Sequence, residues 1–376
     1  MEMDNVNNKL NTVLGLFMNI ISLNNRRKLI AKRLESKYPQ RRMLCQGGYS
    51  SKIFKLVMQK DNATVRKYLR LTVTSLESVF NYSKQFLKTE KGWSCYFNIT
   101  VFLYWLGCGA SYRVTGASFE ISRYTVRDIV HKCLKGFLTF KSSVIKYPME
   151  SEFPEISRQF NQLAGSTIFD RALGVIDGTH IPIAVPTRLR DEYMNRKSFT
   201  SLNLQAVCSS TNKFLSICVG FPGSMPDEAV LYNSELFNTH SFPPAGYYLL
   251  GDNAYSCRAS PIGILTPYKR LQPLTARQKK FNALHSKARS IIENTFGTLK
   301  LRWRSIFDNV LRLKVEHCIE TIAVACVMHN ICLNDGFEID EKYNISEDLK
   351  YEEVLIEDEN IAAAVMRDEI ANNIRL

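Results

Sequence analysis

Three acidic side chains stand in settings that suit one kind of chemistry. Asp177 lies within Gly174-Val-Ile-Asp-Gly-Thr-His180, Asp252 within Leu250-Gly-Asp-Asn-Ala-Tyr255, and Glu293 within Arg289-Ser-Ile-Ile-Glu-Asn-Thr-Phe-Gly297. The first two end apolar, strand-like runs and the third falls on a helical pattern, so all three could meet at one centre. A phosphodiester repels nucleophiles with its own charge and has a poor alkoxide leaving group; two divalent ions about 4 Å apart answer both difficulties. Mg²⁺ takes hard oxygen ligands, which carboxylates on a few rigid elements supply while leaving room for substrate oxygens and water. The expected cofactor is therefore a pair of Mg²⁺ ions, with Mn²⁺ able to substitute. Each acid alone would more often be a cap, a turn residue or an ion-pair partner: Asp252 precedes Asn253, and Glu293 stands four residues after Arg289. Only the combination points to cleavage of nucleic-acid backbone.

The elements that must position these acids follow from hydrophobic rhythm. Residues 173–185, 202–209, 214–221 and 247–251 read as strands, with a helix over 226–237 between the third and fourth. A further strand, 262–266, precedes a long helix over about 275–307, whose stripe of Ile292, Phe296, Leu299, Trp303 and Ile306 can lie on a sheet. An acid on the first strand, one after the fourth and one on a following helix is the order of a ribonuclease-H-like mixed-sheet α/β core. Glu293 sits about 100° round the axis from that stripe. Arg289, Gly297, Lys300 and Arg304 share its face, and the three bases are candidates for DNA contact. Asn195, Arg196 and Lys197, in the loop between the first two strands, are candidates for phosphate contact, with a solvated loop as the alternative. Asp227 reads first as a carboxylate satisfying free amides at a helix start. His180 falls on the opposite face of its strand from Asp177, a supporting rather than ligating position. Cys326, His329 and Cys332 space soft ligands three apart, but Ile319, Ile322, Ala323, Val327 and Ile331 around them predict a buried helix rather than a zinc site.

Upstream, residues 43–160 are helical in pattern. An apolar helix over 99–106 stops at Gly107 and Gly109, a short helix covers 112–119, and Glu120-Ile-Ser122 turns the chain into a third helix with Ser122 as N-cap. That helix puts Val126, Ile129, Val130, Cys133, Leu134 and Phe137 on one face and leaves Arg123, Tyr124, Arg127, His131, Lys132 and Lys135 outward. The pattern is a helix-turn-helix whose exposed face could reach phosphates and base edges. An ordinary three-helix packing unit with a solvated basic face has the same periodicity.

Composition agrees with a polyanionic partner. The 376-residue chain carries a formal +13, but residues 336–376 hold 12 acids against 4 bases, which leaves +21 on residues 1–335. Such an excess favours nucleic acid or an anionic membrane surface, though charge can also serve solubility alone; double-stranded DNA is the expected partner. No apolar run reaches the roughly 18 residues needed to cross a bilayer, so no membrane is expected. The ten cysteines lie mostly in apolar segments and read as reduced core residues. The organisation expected is a basic arm over 1–42, the helical region to 160, a catalytic domain over 161–335 and an acidic tail over 336–376, in a nuclear protein with a cytoplasmic pool.

Gly174-Val-Ile-Asp-Gly-Thr-His180, Asn195-Arg-Lys-Ser-Phe-Thr-Ser-Leu-Asn203, Pro222-Gly-Ser224, Gly251-Asp-Asn-Ala-Tyr255, Ile292-Glu-Asn-Thr-Phe-Gly297 and Val327-Met-His-Asn330 resemble, in order, the motifs of PIF/Harbinger transposases and the host nucleases derived from them. Ser118-Phe-Glu-Ile-Ser-Arg-Tyr-Thr-Val126 resembles that family's helix-turn-helix segment, and the likeness covers roughly residues 95–335. It implies a DDE site made of Asp177, Asp252 and Glu293, cutting at terminal inverted repeats and joining 3′ ends to target DNA. It also implies help from a separate Myb/SANT-like DNA-binding protein, while acting on two DNA ends makes a homodimer the natural state. Two departures from the family pattern, Ser209 for a common Asp and Pro226 for a common His, bear on turn geometry more than on catalysis. The other reading is a domesticated, non-cutting DNA-binding or adaptor protein that keeps the basic surface.

Overall fold

The computed structural model describes residues 51–87, 94–269, 273–304, 310–333 and 361–374. The expected basic arm, 1–42, and Ile306 in the expected stripe of the long helix lie outside them. The helical region comprises α1 (Lys52–Met58), α2 (Asn62–Leu69), α3 (Val73–Ser83), α4 (Cys95–Cys108), α5 (Tyr112–Ser118), α6 (Arg123–Leu138), α7 (Lys141–Val144) and α8 (Phe153–Ala164). Caps set its boundaries. Ser94, Ser111 and Ser122 each accept a backbone N–H from the first turn of α4, α5 and α6, and Gly109 closes α4 at φ 64°, a left-handed position that a side chain would strain.

The sheet follows as β1 (Ala172–Pro182), β2 (Ser201–Cys208), β3 (Phe214–Pro222), β4 (Tyr248–Leu250) and β5 (Ile264–Leu265), with α9 (Arg190–Tyr193) between β1 and β2. Strand order is β3-β2-β1-β4-β5; the first three are antiparallel neighbours, and β4 and β5 run parallel to β1. This mixed sheet is the ribonuclease-H-like α/β arrangement expected from the order of the acids. The helix expected over 226–237 is instead two, α10 (Asp227–Tyr232) and α11 (Glu235–Thr239). Ser234 splits them, because its Oγ accepts the N–H of Phe237 and donates to the carbonyl of Leu231. The long helix is α12 (Ala276–Arg302), opened by a reciprocal Thr275–Gln278 cap; α13 (Val315–Ile331) and α14 (Ile361–Asn372) complete the described chain.

Alternation along the strands divides the core in two. Val175, Leu204, Ala206, Leu250 and Leu265 belong to the cluster with α12 and α13, whereas Ile176, Val207, Leu215, Leu249 and Ile264 pack with Leu231 of α10 and Leu236 of α11. Asp177, in step with Val175, thus stands on the α12 side of the sheet, and Gly178 on the α10 side. The first cluster runs without a break into the helical region, since α13 packs on both β3 and α6.

His329 and Asn330, near the end of α13, pin the β2–β3 turn. His329 Nε2 lies 2.8 Å from the carbonyl of Asn212, while Asn330 Oδ1 accepts from Phe214 N at 2.9 Å and its Nδ2 donates to Phe214 O at 2.8 Å and Val144 O at 3.2 Å. Cys326 and His329 in that helix, and Cys332 at its C-cap, are buried, as the apolar reading predicts. Ser209 also closes its turn: the Oγ accepts the N–H groups of Thr211 and Lys213, the work an aspartate would do there. The stretch read as an acidic tail contains α14, whose buried Arg367 lies 4.2 Å from the Tyr268 ring and whose Asp368 accepts from the Tyr268 hydroxyl at 2.6 Å. Buried Ala363, Ala371 and Ile374, together with those contacts to Tyr268, seat it against the core.

Asn330→Ala removes the side-chain partner of both backbone groups of Phe214. Loss of about 2 kcal/mol of unfolding free energy is expected, at ~1 kcal/mol for each buried group left unsatisfied, measured by chemical denaturation.

Candidate catalytic centre and basic surface

β1 outruns its parallel neighbour. The β1–β4 pairing ends at Val175↔Leu250, so from Ile176 onward the β4-side edge of β1 is open. Gly251 and Asp252 continue past the end of β4 into that opening. A backbone N–H holds each of the two acids: Gly178 N donates to Asp177 Oδ1 at 2.8 Å and Ala254 N to Asp252 Oδ1 at 2.9 Å. The turn after Asp252 is anchored to α10, where buried Glu228 accepts from Ser256 N and Oγ and pairs with Arg258.

α12 supplies the third side. Arg289 Nη1 meets Asp177 Oδ2 at 2.7 Å and its Nη2 meets Glu293 Oε1 at 2.5 Å, so one guanidinium bridges the strand acid and the helix acid. Two turns further on, Lys300 Nζ donates to Thr179 Oγ1 at 2.9 Å, on the same face of β1 as Asp177. Glu293 keeps 46% of its side-chain surface exposed and Asp177 only 16%.

A fourth acid joins from the other face. Asp227 caps no helix: its carboxylate takes a 2.6 Å hydrogen bond from Asn203 Nδ2 and lies over Gly178, where a Cβ would collide with it. Gln205 Nε2 ties Asp227's carbonyl, at 2.7 Å, to the hydroxyl of buried Tyr255, at 3.0 Å. The helix-start reading missed this; the signal in the sequence was a glycine directly after Asp177, leaving space for another group.

Enclosure and mutual repulsion hold these acids towards their neutral forms. Burial above all, then the nearby Asp252, push Asp177 up to about 8 despite Arg289, with Asp227 adding to the rise. Burial raises Asp252 against the pull of Arg289, and burial raises Asp227 against its Asn203 hydrogen bond. Three crowded carboxylates with chiefly one guanidinium to offset them make an oxygen-rich, electron-rich pocket. That donor set fits a hard divalent cation.

The other predicted residues divide. Arg123, Tyr124 and Arg127 are exposed on α6, with Arg123 donating to the Tyr124 hydroxyl at 3.0 Å and Arg127 paired with Asp128; Lys132 is half-buried. His131 faces inward rather than out, its ring centroid 4.1 Å from that of His317 on α13. Arg196 and Lys197 are exposed at the β1–β2 loop, and Arg196 is near enough to draw Asp227 towards its charged form. Asn195 is buried: Nδ2 donates to Ser201 Oγ and Oδ1 accepts from Lys197 N and Phe199 N, so it shapes the loop from within. His180 turns to Ser201 Oγ, 3.2 Å from Nδ1. Arg304 is half-buried and near the Cys108 thiol.

Residues 176–330 match the DDE superfamily endonuclease family, a span that begins one residue before Asp177 and ends at Asn330. The chain thus carries a segment similar to DDE superfamily endonucleases, set on the ribonuclease-H-like sheet. Among its relatives are HARBI1 of Mus musculus, described by its name as a candidate nuclease, 31% identical over 230 residues, and the human HARBI1, 30% identical over 231 residues; each alignment covers 60% of this chain and 63% of the relative. The chain thus spans less than two thirds of the length of those relatives. An ALP1-like protein of Arabidopsis thaliana is 27% identical over 295 residues, 73% of this chain and 70% of that protein. No solved structure matches the chain. Among the described residues no helix is long and apolar enough to cross a membrane.

An acid whose folded-state pKa is raised stabilises the fold below its ordinary value and loses that contribution as pH rises through the folded one. For Asp177 the window runs from 3.8 to about 8. Metal-free protein should therefore melt lower at the alkaline end of that window than near its middle. Asp177→Asn should raise the alkaline melting temperature by about 1 °C, the shift that ~1 kcal/mol gives a chain of this size, and added divalent cation should flatten the slope; scanning calorimetry across pH measures both.

Proposed function

We propose that this protein is a DDE transposase, or an endonuclease derived from one, that hydrolyses DNA phosphodiester bonds and transfers the resulting 3′ ends. The observation that carries the reading is the pair of enclosed carboxylates, Asp177 and Asp252, at the open edge of β1 with Glu293 beside them. Asp177, Asp252 and Glu293 would hold two divalent cations, Mg²⁺ by the hardness of the donors and Mn²⁺ as substitute; bound there, they would activate a water or 3′-hydroxyl and stabilise the leaving oxygen.

The chain's own groups prepare that site. The Gly178 and Ala254 amides fix Oδ1 of Asp177 and of Asp252, while Oδ2 of Asp177 meets Arg289. Arg289 balances the acids and, once they are otherwise neutralised, is placed to meet a phosphate oxygen. Lys300, held by Thr179, adds a cation at the far end of the same strip. Asp227, steadied by Asn203 over Gly178, raises the negative potential from behind. Those four acids together favour a cutting enzyme over an adaptor that keeps only a basic surface, which has no use for so costly an arrangement.

The substrate in this reading is double-stranded DNA, in particular terminal inverted repeats. α4, α5 and α6 act as a helix-turn-helix whose Arg123, Tyr124, Arg127 and Lys132 face the duplex, with Arg196 and Lys197 on phosphates nearer the centre. A homodimer handles two ends, a Myb/SANT-like protein assists recognition, and the nucleus is the place of work, with a cytoplasmic pool.

Cleavage of terminal-repeat DNA with Mg²⁺ should fall on the order of 10²–10³-fold or more in Asp177→Ala, Asp252→Ala and Glu293→Ala, as for loss of one preorganised charge-stabilising group. Equal cutting by all three would overturn the proposal. Arg123→Ala with Arg127→Ala should weaken binding across sequences and reduce the salt dependence of log K by about 1 for each phosphate that the variant no longer neutralises, read by titration at several salt concentrations.

A further inference from the structure

A second group of possible ligands lies away from the acids. His131 on α6 and His317 and Glu320 on α13 each offer one ligand atom, and the three atoms lie within 4.8 Å of one another. His317 Nδ1 and Glu320 Oε2 are already 3.0 Å apart, one turn from each other at the start of α13. Around a tetrahedral zinc ion with bonds of about 2.0–2.1 Å, neighbouring ligand atoms are separated by roughly 3.4 Å. That edge is nearly set, and the His131 atom, no more than 4.8 Å from the other two, need close by at most about 1.4 Å to complete the triangle.

Two orphaned atoms mark the same place. His131 Nδ1 and the hydroxyl oxygen of Tyr112, whose rings are 6.4 Å apart, are both buried with no hydrogen-bond partner. Leaving a buried polar atom unpaired costs about 1–3 kcal/mol, and a bound ion with a water in its open position would satisfy such groups. Burial, the facing His317 ring and the bases Arg127 and Lys135 together disfavour the charged form of His131, while Glu320 opposes them; a neutral imidazole is the form that ligates.

We propose that His131, His317 and Glu320 bind one late first-row divalent ion, Zn²⁺ by the match of two imidazoles and a carboxylate, with a fourth position open to water. The set is too rich in nitrogen for Mg²⁺, so it is chemically separate from the all-oxygen centre on the sheet. Its place gives it a role. α6 carries the exposed Arg123, Tyr124 and Arg127, and α13 is fastened to the β2–β3 turn by His329 and Asn330, so the ion staples the basic helix to the catalytic core whatever DNA that helix meets.

The test is Co²⁺ titration of the chelator-stripped full chain, followed by the visible ligand-field bands of low-coordinate Co²⁺. One equivalent should bind, persist in a large excess of Mg²⁺, be displaced by Zn²⁺, and survive in an Asp177→Asn, Asp252→Asn chain. In His131→Gln and His317→Gln, affinity should fall on the order of 10- to 100-fold or more, and Zn²⁺ should raise the melting temperature of the parent but not of either variant. Should a histidine variant fail to fold, Glu320→Gln serves, because that side chain is 25% exposed. Absence of the bands in the parent, bands unchanged in the variants, or bands lost with the sheet acids would each overturn the proposal.

Discussion

Carboxylates crowded at a partly enclosed sheet edge repel each other where water screens them poorly, and much of this structure serves to hold them there regardless. β1 must extend beyond β4 to open the edge, the turn after β4 must deliver Asp252 to it, and α12 must bring a guanidinium within reach. Each requirement has its own anchor. Backbone amides fix Asp177 and Asp252, the buried Glu228–Arg258 pair fixes the turn, and the apolar stripe of α12 fixes the register at which Arg289 and Glu293 face the strands. The packing keeps the charges close, and the closeness is what would draw cations in.

Much of this frame could be read from residue order. Strand boundaries follow alternation, and the caps at Ser122 and Thr275 follow from hydroxyls placed ahead of helical periodicity. What escaped the reading depended on distant pairings. Asp227 looked like a helix-start acid because nothing local reveals that Asn203 and Gly178 make room for it. His131 looked outward because the periodicity of α6 describes one helix, whereas α13 arrives from nearly 190 residues further along. Asn195 looked like a donor for phosphate, but its amide closes a tight loop. The break at Ser234 needed a hydrogen bond that propensity alone does not rank.

α13 links the parts of the molecule. Its apolar faces fill the core between β3 and α6, its C-terminal end secures the β2–β3 turn, and its N-terminal end meets α6 through His317. The helical region is therefore a continuation of the sheet's core rather than a separately tethered module, and the exposed arginines of α6 hold a fixed attitude to the acids. For a reaction that must present one phosphodiester at one spot, fixed attitude is worth more than reach.

The last described helix has its own consequence. α14 lies along the first half of α12, with Arg367 over Tyr268 and Asn372 within 3.3 Å of Arg277. Trimming residues that look, by charge, like dispensable solvent-loving chain would lay bare the underside of the very rod that carries Arg289 and Glu293. A shortened or C-terminally fused version of this protein would thus differ from the parent at the start of the helix that carries its acids, even though every acidic residue of the centre had been left in place.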